Sequence, residues 1–363
     1  MMIDMNILIF NWKDIKNPEV GGAEIYTHEI FKRIVNKGHS VILFTSEFMD
    51  CKKKEELDGI QIVRNGTRFN PFNSVYKNAK KFYKKGEFDV VIDEINTKPF
   101  MTVDFVDEPV VCLIHQLARE YWNYKVPFPI SYIGRYVLEN RWLKKYRYVK
   151  TITVSKSTEI DLKELGFNDI SIVYNGLDGE ILKDLTEKEE EFTLLFVGRL
   201  TPSKKPEDVI KAFLKFRKGK LWIVGRGELK DKLEKKYKSK NIIFKGFVSY
   251  KEKKRLMKRA HVILVPGIRE GWGRVVTEAN ALGTPAIGYD VPGLRDSIKD
   301  RETGLLCNPN SDSMSEAIDL LFNDRELREK LSKSALKWAR EFDWNKSSEE
   351  TFEVLKEVVN VKK

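Results

Sequence analysis

Two series of short, nearly uninterrupted apolar runs, each run followed by an amphipathic stretch, constrain this chain more than any other feature. MNILIF, HSVILFTS, IQIVR, FDVVIDEI, PVVCLIH, KTITVS and ISIVYNG form the first series, with helical stretches such as GGAEIYTHEIFKRIVNKG and STEIDLKELG between them. A strand apolar on both faces must be covered on both faces, which helical crossovers achieve for a parallel sheet. The pattern breaks at LDGEILKDLTEKEEE, polar and acidic at its end, and then restarts as FTLLFVGRL, LWIVGRG, NIIFKGF, HVILVPG, TPAIGYD and TGLLCN. The expectation is an α/β chain of two tandem doubly wound domains, residues 1–180 and 181–343. Helical segments over 311–342 and from 344 to about 361 close the chain. The FDW break between them predicts that the last helix, about 344–363, crosses back to the first domain. A length of 363 residues fits two cores rather than one.

Composition narrows the class. Hydrophobic residues make up 42% and charged residues 33%, and no apolar run approaches the roughly 18–20 residues of a membrane span. The opening MMIDMNILIFNWKD enters a strand-like run without the basic region of a secretory signal. Cys51, Cys112 and Cys307 are scattered without CxxC spacing. That predicts a cytoplasmic chain without a zinc site or disulfide frame. The net charge of +11 favours anionic partners. No zinc finger or RNP-type aromatic signature accompanies it, so nucleic acid is not expected. The segments VYKNAKKFYKKGEF and NRWLKKYRYVK mix aromatics with Lys and Arg. This is the composition either of a helix lying on anionic lipid at the inner membrane face or of a solvated helix face.

In open parallel sheets, ligands sit beyond the carboxyl ends of strands where strand order reverses, and two facing sheets enclose a cleft. The residues just after strands are therefore the candidates. In REGWGRVVTEANALG, Glu270 follows the run HVILVPG, and Gly271 and Gly273 permit a tight turn and close backbone approach. The helix that follows presents free N–H groups suited to a phosphate, and Glu278 one turn later suits the vicinal hydroxyls of a ribose. Solvated glutamates on a capped turn are the plain alternative. In VGRLTPSKKPED, Arg199 follows a strand directly and Lys204 or Lys205 precedes a helix. Converging cations there would neutralise a diphosphate leaving group, the alternative being surface charge. Gly21 and Gly22 open the first long helix without GxGxxG spacing, and His115 ends PVVCLIH, with Arg119 and Glu120 close behind.

Together these stretches resemble the retaining glycosyltransferases of family 4, with the GT-B fold. The resemblance rests on GGAE, HQ, YNG, VGRL with its following lysine, VGRGEL, EGWGRVVTEA and GTPAIG, and so runs along nearly the whole chain. It implies two Rossmann-like domains, the first for an acceptor and the second for a nucleoside diphosphate sugar. It further implies that Arg199 and Lys204 meet the donor diphosphate and that Glu278 holds the ribose. Glu270 and the Gly271–Trp272–Gly273 backbone would hold the transferred sugar. Gly22 would lie near the phosphates and His115 near the sugar and acceptor. The implied reaction is hexosyl transfer to a hydroxyl of a glycan, lipid or small molecule, with retention. No metal or other cofactor is implied, since no DxD-type carboxylate cluster stands at a strand end. A nucleotide-sugar epimerase or hydrolase, or a non-catalytic nucleotide-sugar-binding module at membranes, are the other readings. Gly267 stands where the family more often has serine, and Trp272 where phenylalanine is commoner. The acceptor side, residues 12–20, 64–76 and 120–129, matches no substrate pattern.

Overall fold

A computed structural model describes residues 4–67, 74–179 and 181–361. Residues 68–73 of the acceptor-side stretch lie outside the described part. The chain forms two compact units, Met1–Gly176 with Asp343–Lys363, and Leu177–Phe342.

The first unit is built on an eight-stranded sheet. Its strands are β1 (Asn6–Phe10), β2 (Ser40–Thr45), β3 (Lys54–Leu57), β4 (Ile60–Arg64), β5 (Val90–Glu94), β6 (Val110–Ile114), β7 (Lys150–Thr153) and β8 (Ile170–Ile172). They lie in the order β3-β4-β2-β1-β5-β6-β7-β8, all parallel except β3 against β4. The apolar run of β1 is covered on both faces, with Leu8, Ile9 and Phe10 wholly buried. Phe10 packs against Phe44 and Phe100 at centroid distances of 5.6 and 5.5 Å.

β3 was not expected, because KEEL carries no apolar run. It pairs as an edge through the turn at Asp58 and Gly59, where φ is +51° and +79°. A two-residue turn with both φ values positive is what an Asp-Gly pair favours, so the signal for the hairpin lay in LDGIQIV. The charged strand then protects the sheet edge from further pairing.

Part of the acceptor-side stretch is core. Arg64 Nε meets Asp14 Oδ2 at 2.7 Å and Arg64 Nη2 meets Asp14 Oδ1 at 2.9 Å, both side chains being fully buried. Such a bidentate pair leaves neither group for a ligand.

The C-terminal helix Trp344–Val361 packs on the helix Gly22–Val35. Ser348 Oγ donates to the Ile30 carbonyl at 3.1 Å, and Ser347 Oγ to that of Tyr174 at 2.7 Å. Gly176 makes the entry of this helix feasible, since a Cβ there would stand 2.4 Å from the Trp344 nitrogen. This is the physical content of the YNG motif.

The second unit has six parallel strands, β9 (Thr193–Val197), β10 (Lys220–Val224), β11 (Ile242–Gly246), β12 (Val262–Val265), β13 (Ala286–Tyr289) and β14 (Gly304–Cys307). Their order is β11-β10-β9-β12-β13-β14, so the winding reverses between β9 and β12. The 311–342 segment is two helices, Ser311–Asn323 and Arg325–Ala339, rather than one. The break falls at Asp324, whose carboxylate accepts the Leu327 amide at 2.8 Å as an N-cap.

His261, just before β12, ties this strand to β9: its Nδ1 accepts the Thr193 amide at 3.0 Å. The bond requires an unprotonated Nδ1. Burial, helped by the Arg328 and Lys188 charges, pulls the imidazole down to about 4. A depressed histidine contributes stability that is complete above its unfolded value, about 6.5, and is lost as pH falls toward 4. The thermal midpoint is therefore expected to drop between pH 6.5 and 4, and His261→Gln, which keeps an acceptor, should flatten that slope. Identical slopes by calorimetry would exclude this role.

Candidate active site

The reversal point of the second sheet is framed by the loops after β9 and β12. Arg199 leaves β9 two residues after its end and is exposed. Its side chain carries no hydrogen bond or ion pair among the described residues. The chain then makes a 3-10 turn, Pro202–Lys204, and Lys205 takes a left-handed conformation, φ +45°, before Pro206 starts a helix. This turn sends the two lysines to different partners. Lys204 Nζ bonds Glu270 Oε1 across the reversal point, whereas Lys205 pairs with Asp208 at 3.6 Å on its own helix. The Ile268 amide also donates to the Ser203 carbonyl at 3.2 Å, stitching the two loops together.

Glu270 is held from its other side by VPGLRD. Its amide donates to the Pro292 carbonyl at 3.0 Å. Gly293 sits at φ +83°, and a Cβ there would stand 2.0 Å from the Glu270 carbonyl oxygen. Only glycine fits at that position. Gly267 likewise makes room for the carboxylate, since a Cβ there would stand 2.5 Å from Glu270 Oε1. The departure from serine is thus matched to the pose of Glu270.

Gly273, left-handed at φ +80°, precedes the helix Arg274–Asn280. Trp272 points inward: it is 3% exposed, and its ring meets Phe342 edge-on at 5.1 Å. The indole of that residue is part of the core, which leaves its backbone as the part expected to meet a ligand.

Glu278 lies one turn into this helix. Its Oε2 accepts Lys253 Nζ at 2.9 Å, and Arg274 Nη2 is 3.8 Å from its Oε1 and 2.8 Å from Asp178 Oδ2. The Tyr250 hydroxyl donates to the Asp178 carbonyl at 2.9 Å. Glu278, Lys253, Tyr250 and Asp178 rim a cavity whose walls include Met257 and Leu282. Lys253, Tyr250 and Asp178 were missed. The signal was the helix start: Ser249 Oγ accepts the Glu252 amide at 3.2 Å, and this cap sets the register that puts Lys253 and Met257 on one face.

In the first unit the winding reverses between β1 and β5. Asn11 follows β1, Glu94 ends β5 and His115 follows β6, so adjacent strands bring three buried polar side chains to one edge. Glu94 Oε2 accepts Thr27 Oγ1 at 2.6 Å, and Glu94 Oε1 lies 3.4 Å from His115 Nε2. Burial pushes the Glu94 carboxyl above the usual carboxylate range, with His115 and Thr27 opposing the rise. His115 also stands edge-on to Tyr26 at 4.9 Å. Glu94 was not foreseen, although FDVVIDEI ends an apolar run with two acids. Alternation along the strand sends its neighbour Asp93 to the opposite face. There Asp93 accepts from the Tyr146 hydroxyl at 2.6 Å and the Phe100 amide at 3.1 Å, a structural role.

Gly22 starts its helix with Gly21 as the capping residue. Glu24 Oε2 accepts the Gly21 amide at 2.7 Å, and Lys13 Nζ is 3.4 Å from Glu24 Oε1. No side chain caps this helix start from the N-cap position, where Gly21 has none. Of the weaker companions, Glu120 pairs with Arg135 at 2.8 Å, and Arg119 is fixed by its amide on Glu139 Oε2 at 3.0 Å. Among the described residues no group of three His, Cys, Asp or Glu has the geometry of a metal site. No described helix is long and apolar enough to cross a membrane.

Comparison with known proteins fits this geometry. Residues 178–338 match the family described as glycosyl transferases group 1, and residues 20–180 match glycosyltransferase family 4. An uncharacterised glycosyltransferase of Methanocaldococcus jannaschii is 31% identical over 95% of this chain and 96% of its own. Sucrose-phosphate synthase from Thermosynechococcus elongatus superposes with a TM-score of 0.81 at 18% identity, over 98% of this chain and all of that one. The Anabaena protein HepE, solved with UDP-glucose, superposes with a TM-score of 0.71 at 16% identity, over 97% of this chain and 100% of that one. These structures have the two-domain GT-B fold.

Proposed function

This chain belongs to the group 1, family 4 glycosyltransferases and is an enzyme of that class, and we propose that it moves a hexosyl group from a nucleoside diphosphate sugar to an acceptor hydroxyl with retention. The observation that carries the reading is the loop pair at the β9/β12 reversal, where Lys204 is aimed at Glu270 and Arg199 stands exposed on the same loop as Lys204. Cations are thereby gathered at a strand edge where a diphosphate would dock, and a carboxylate where sugar hydroxyls would dock. The UDP-glucose complex of the Anabaena neighbour supports this donor class for the fold.

In the proposed reaction the anomeric C–O bond to the β-phosphate breaks as the acceptor oxygen bonds the same face. The acceptor proton passes to the departing phosphate oxygen. Arg199 and Lys204 stabilise the charge that builds on that oxygen, and no metal is assigned to it. Glu270 and the amides of Gly271–Gly273 orient the transferred sugar, and Glu278 the ribose.

A thermal-shift screen of nucleotides and nucleotide-sugars tests this. A true donor at 100 times its Kd adds about 2.7 kcal/mol to the folded state and should raise the midpoint by several degrees. A screen in which no nucleoside diphosphate sugar shifts the midpoint would refute the reading. Release of free sugar without acceptor would point to a hydrolase instead.

A further inference from the structure

The first unit gathers several exposed apolar side chains along one short segment. Phe128 is 80% exposed, and Ile130, Ile133 and Val137 are 53%, 45% and 51% exposed. Tyr132 and Tyr136 stand among them at 57% and 49%, with their rings 4.7 Å apart. Apolar surface gathered this densely on a folded domain marks a surface that meets something else.

The segment is anchored rather than trailing. Glu139 accepts the Ala118 amide at 2.6 Å, the Arg119 amide at 3.0 Å and Trp122 Nε1 at 3.1 Å. Gly134 lies against the Trp122 ring so closely that a Cβ would stand 2.3 Å from it. The inner face of the segment is therefore spent on packing, which forces the aliphatic and tyrosine side chains outward.

Charge selects the occupant. Residues 119–150 hold eight Lys and Arg against two Glu, and those two are engaged, Glu139 with backbone amides and Glu120 with Arg135. Arg141, Lys144 and Arg147 are exposed and form no ion pair among the described residues. A partner protein core would accept the aliphatic residues but not this flanking excess of cations. An anionic bilayer takes both, with aliphatic side chains among the acyl chains, tyrosines at the headgroup level and cations on the phosphates. The basic helix Ser74–Phe82 offers a contrast. Its Val75 and Ala79 are wholly buried and Tyr76 packs edge-on against Trp12 at 4.7 Å, so it presents only a solvated basic face. Of the two segments singled out in the sequence, only the one at 140–150 adjoins an exposed apolar surface.

We propose that Phe128, Ile130, Ile133 and Val137, with Arg141, Lys144 and Arg147, form a docking surface for an anionic lipid bilayer. This goes beyond the sugar-transfer reading and does not depend on it.

Cosedimentation of the full chain with phosphatidylglycerol-containing vesicles tests the surface against pure phosphatidylcholine vesicles. Binding is expected to the first only and to weaken as salt is raised. Arg141→Glu, Lys144→Glu and Arg147→Glu together should lower the partition coefficient by about 100-fold or more. Phe128→Ser with Ile133→Ser should lower it by at least about ten-fold. Because all five side chains are exposed, the thermal midpoint should stay unchanged in both variants. Absence of binding at low salt, or binding that survives both variants, would overturn the proposal. It would equally fall if the chain ignored vesicles and light scattering found a dimer that Phe128→Ser with Ile133→Ser dissociates, since the surface would then face a second copy.

Discussion

Arg199→Ala is expected to lower kcat by about 100- to 1000-fold while leaving donor affinity within a few-fold, the size of effect seen when a group that acts only on developing charge is removed. The side chain is exposed and makes no ion pair among the described residues, so its loss should cost the fold little. In the proposed mechanism its charge is free to meet the leaving diphosphate as the glycosidic bond opens. Single-turnover kinetics with a saturating donor would separate this from a binding defect. If kcat fell by less than ten-fold, the leaving-group role would pass to Lys204 alone.

Glu278→Ala is expected to act on the other quantity. Losing hydrogen bonds to a charged acceptor costs about 1.5–3 kcal/mol, so the Kd for the nucleotide should rise by roughly 10- to 150-fold. Turnover at saturating donor should hold nearly constant. The carboxylate is already held by Lys253 at 2.9 Å, with Arg274 nearby. A bound ribose would therefore meet an acceptor whose pose is set beforehand, which limits the ordering cost of binding. Lys253→Ala should loosen this pose and weaken binding less than Glu278→Ala does. Titration calorimetry showing unchanged nucleotide affinity in Glu278→Ala would remove the ribose assignment.

The readings that came easily from the sequence concern the sheets. MNILIF, FTLLFVG and HVILVPG are apolar on both faces, and such runs have few places to go other than the middle of a covered parallel sheet. Once the strands are placed, the positions just after them follow, which is why Arg199, Lys204, Glu270 and His115 were legible as candidates. The hairpin of β3, the cap at Asp324 and the inward Trp272 were harder. For the first two a short-range rule, the Asp-Gly turn or the Asp cap, competed with the pattern of neighbouring residues, whereas the Trp272 ring packs on Phe342, far along the chain.

Partner choice was the least legible property. Lys204 and Lys205 are adjacent and chemically identical, yet a left-handed residue between a 3-10 turn and a helix gives one to Glu270 and the other to Asp208. Glu94 reads in sequence as one acid of a pair, and only sheet alternation separates it from Asp93. The basic segments at 75–88 and 140–150 look alike in composition, but one has its apolar face in the core and the other borders exposed Phe128 and Ile133.

What the sequence determined by itself is the α/β architecture, two successive sheets and the strand ends where chemistry gathers, because apolar periodicity is a local property of consecutive residues. What only the tertiary structure decided is which carboxylate meets which cation, which aromatic ring turns inward and which apolar residues are left uncovered. Those depend on groups far apart in the chain, such as Glu270 with Lys204 and Gly293, and on steric room of a few tenths of an ångström that no pattern of neighbours encodes.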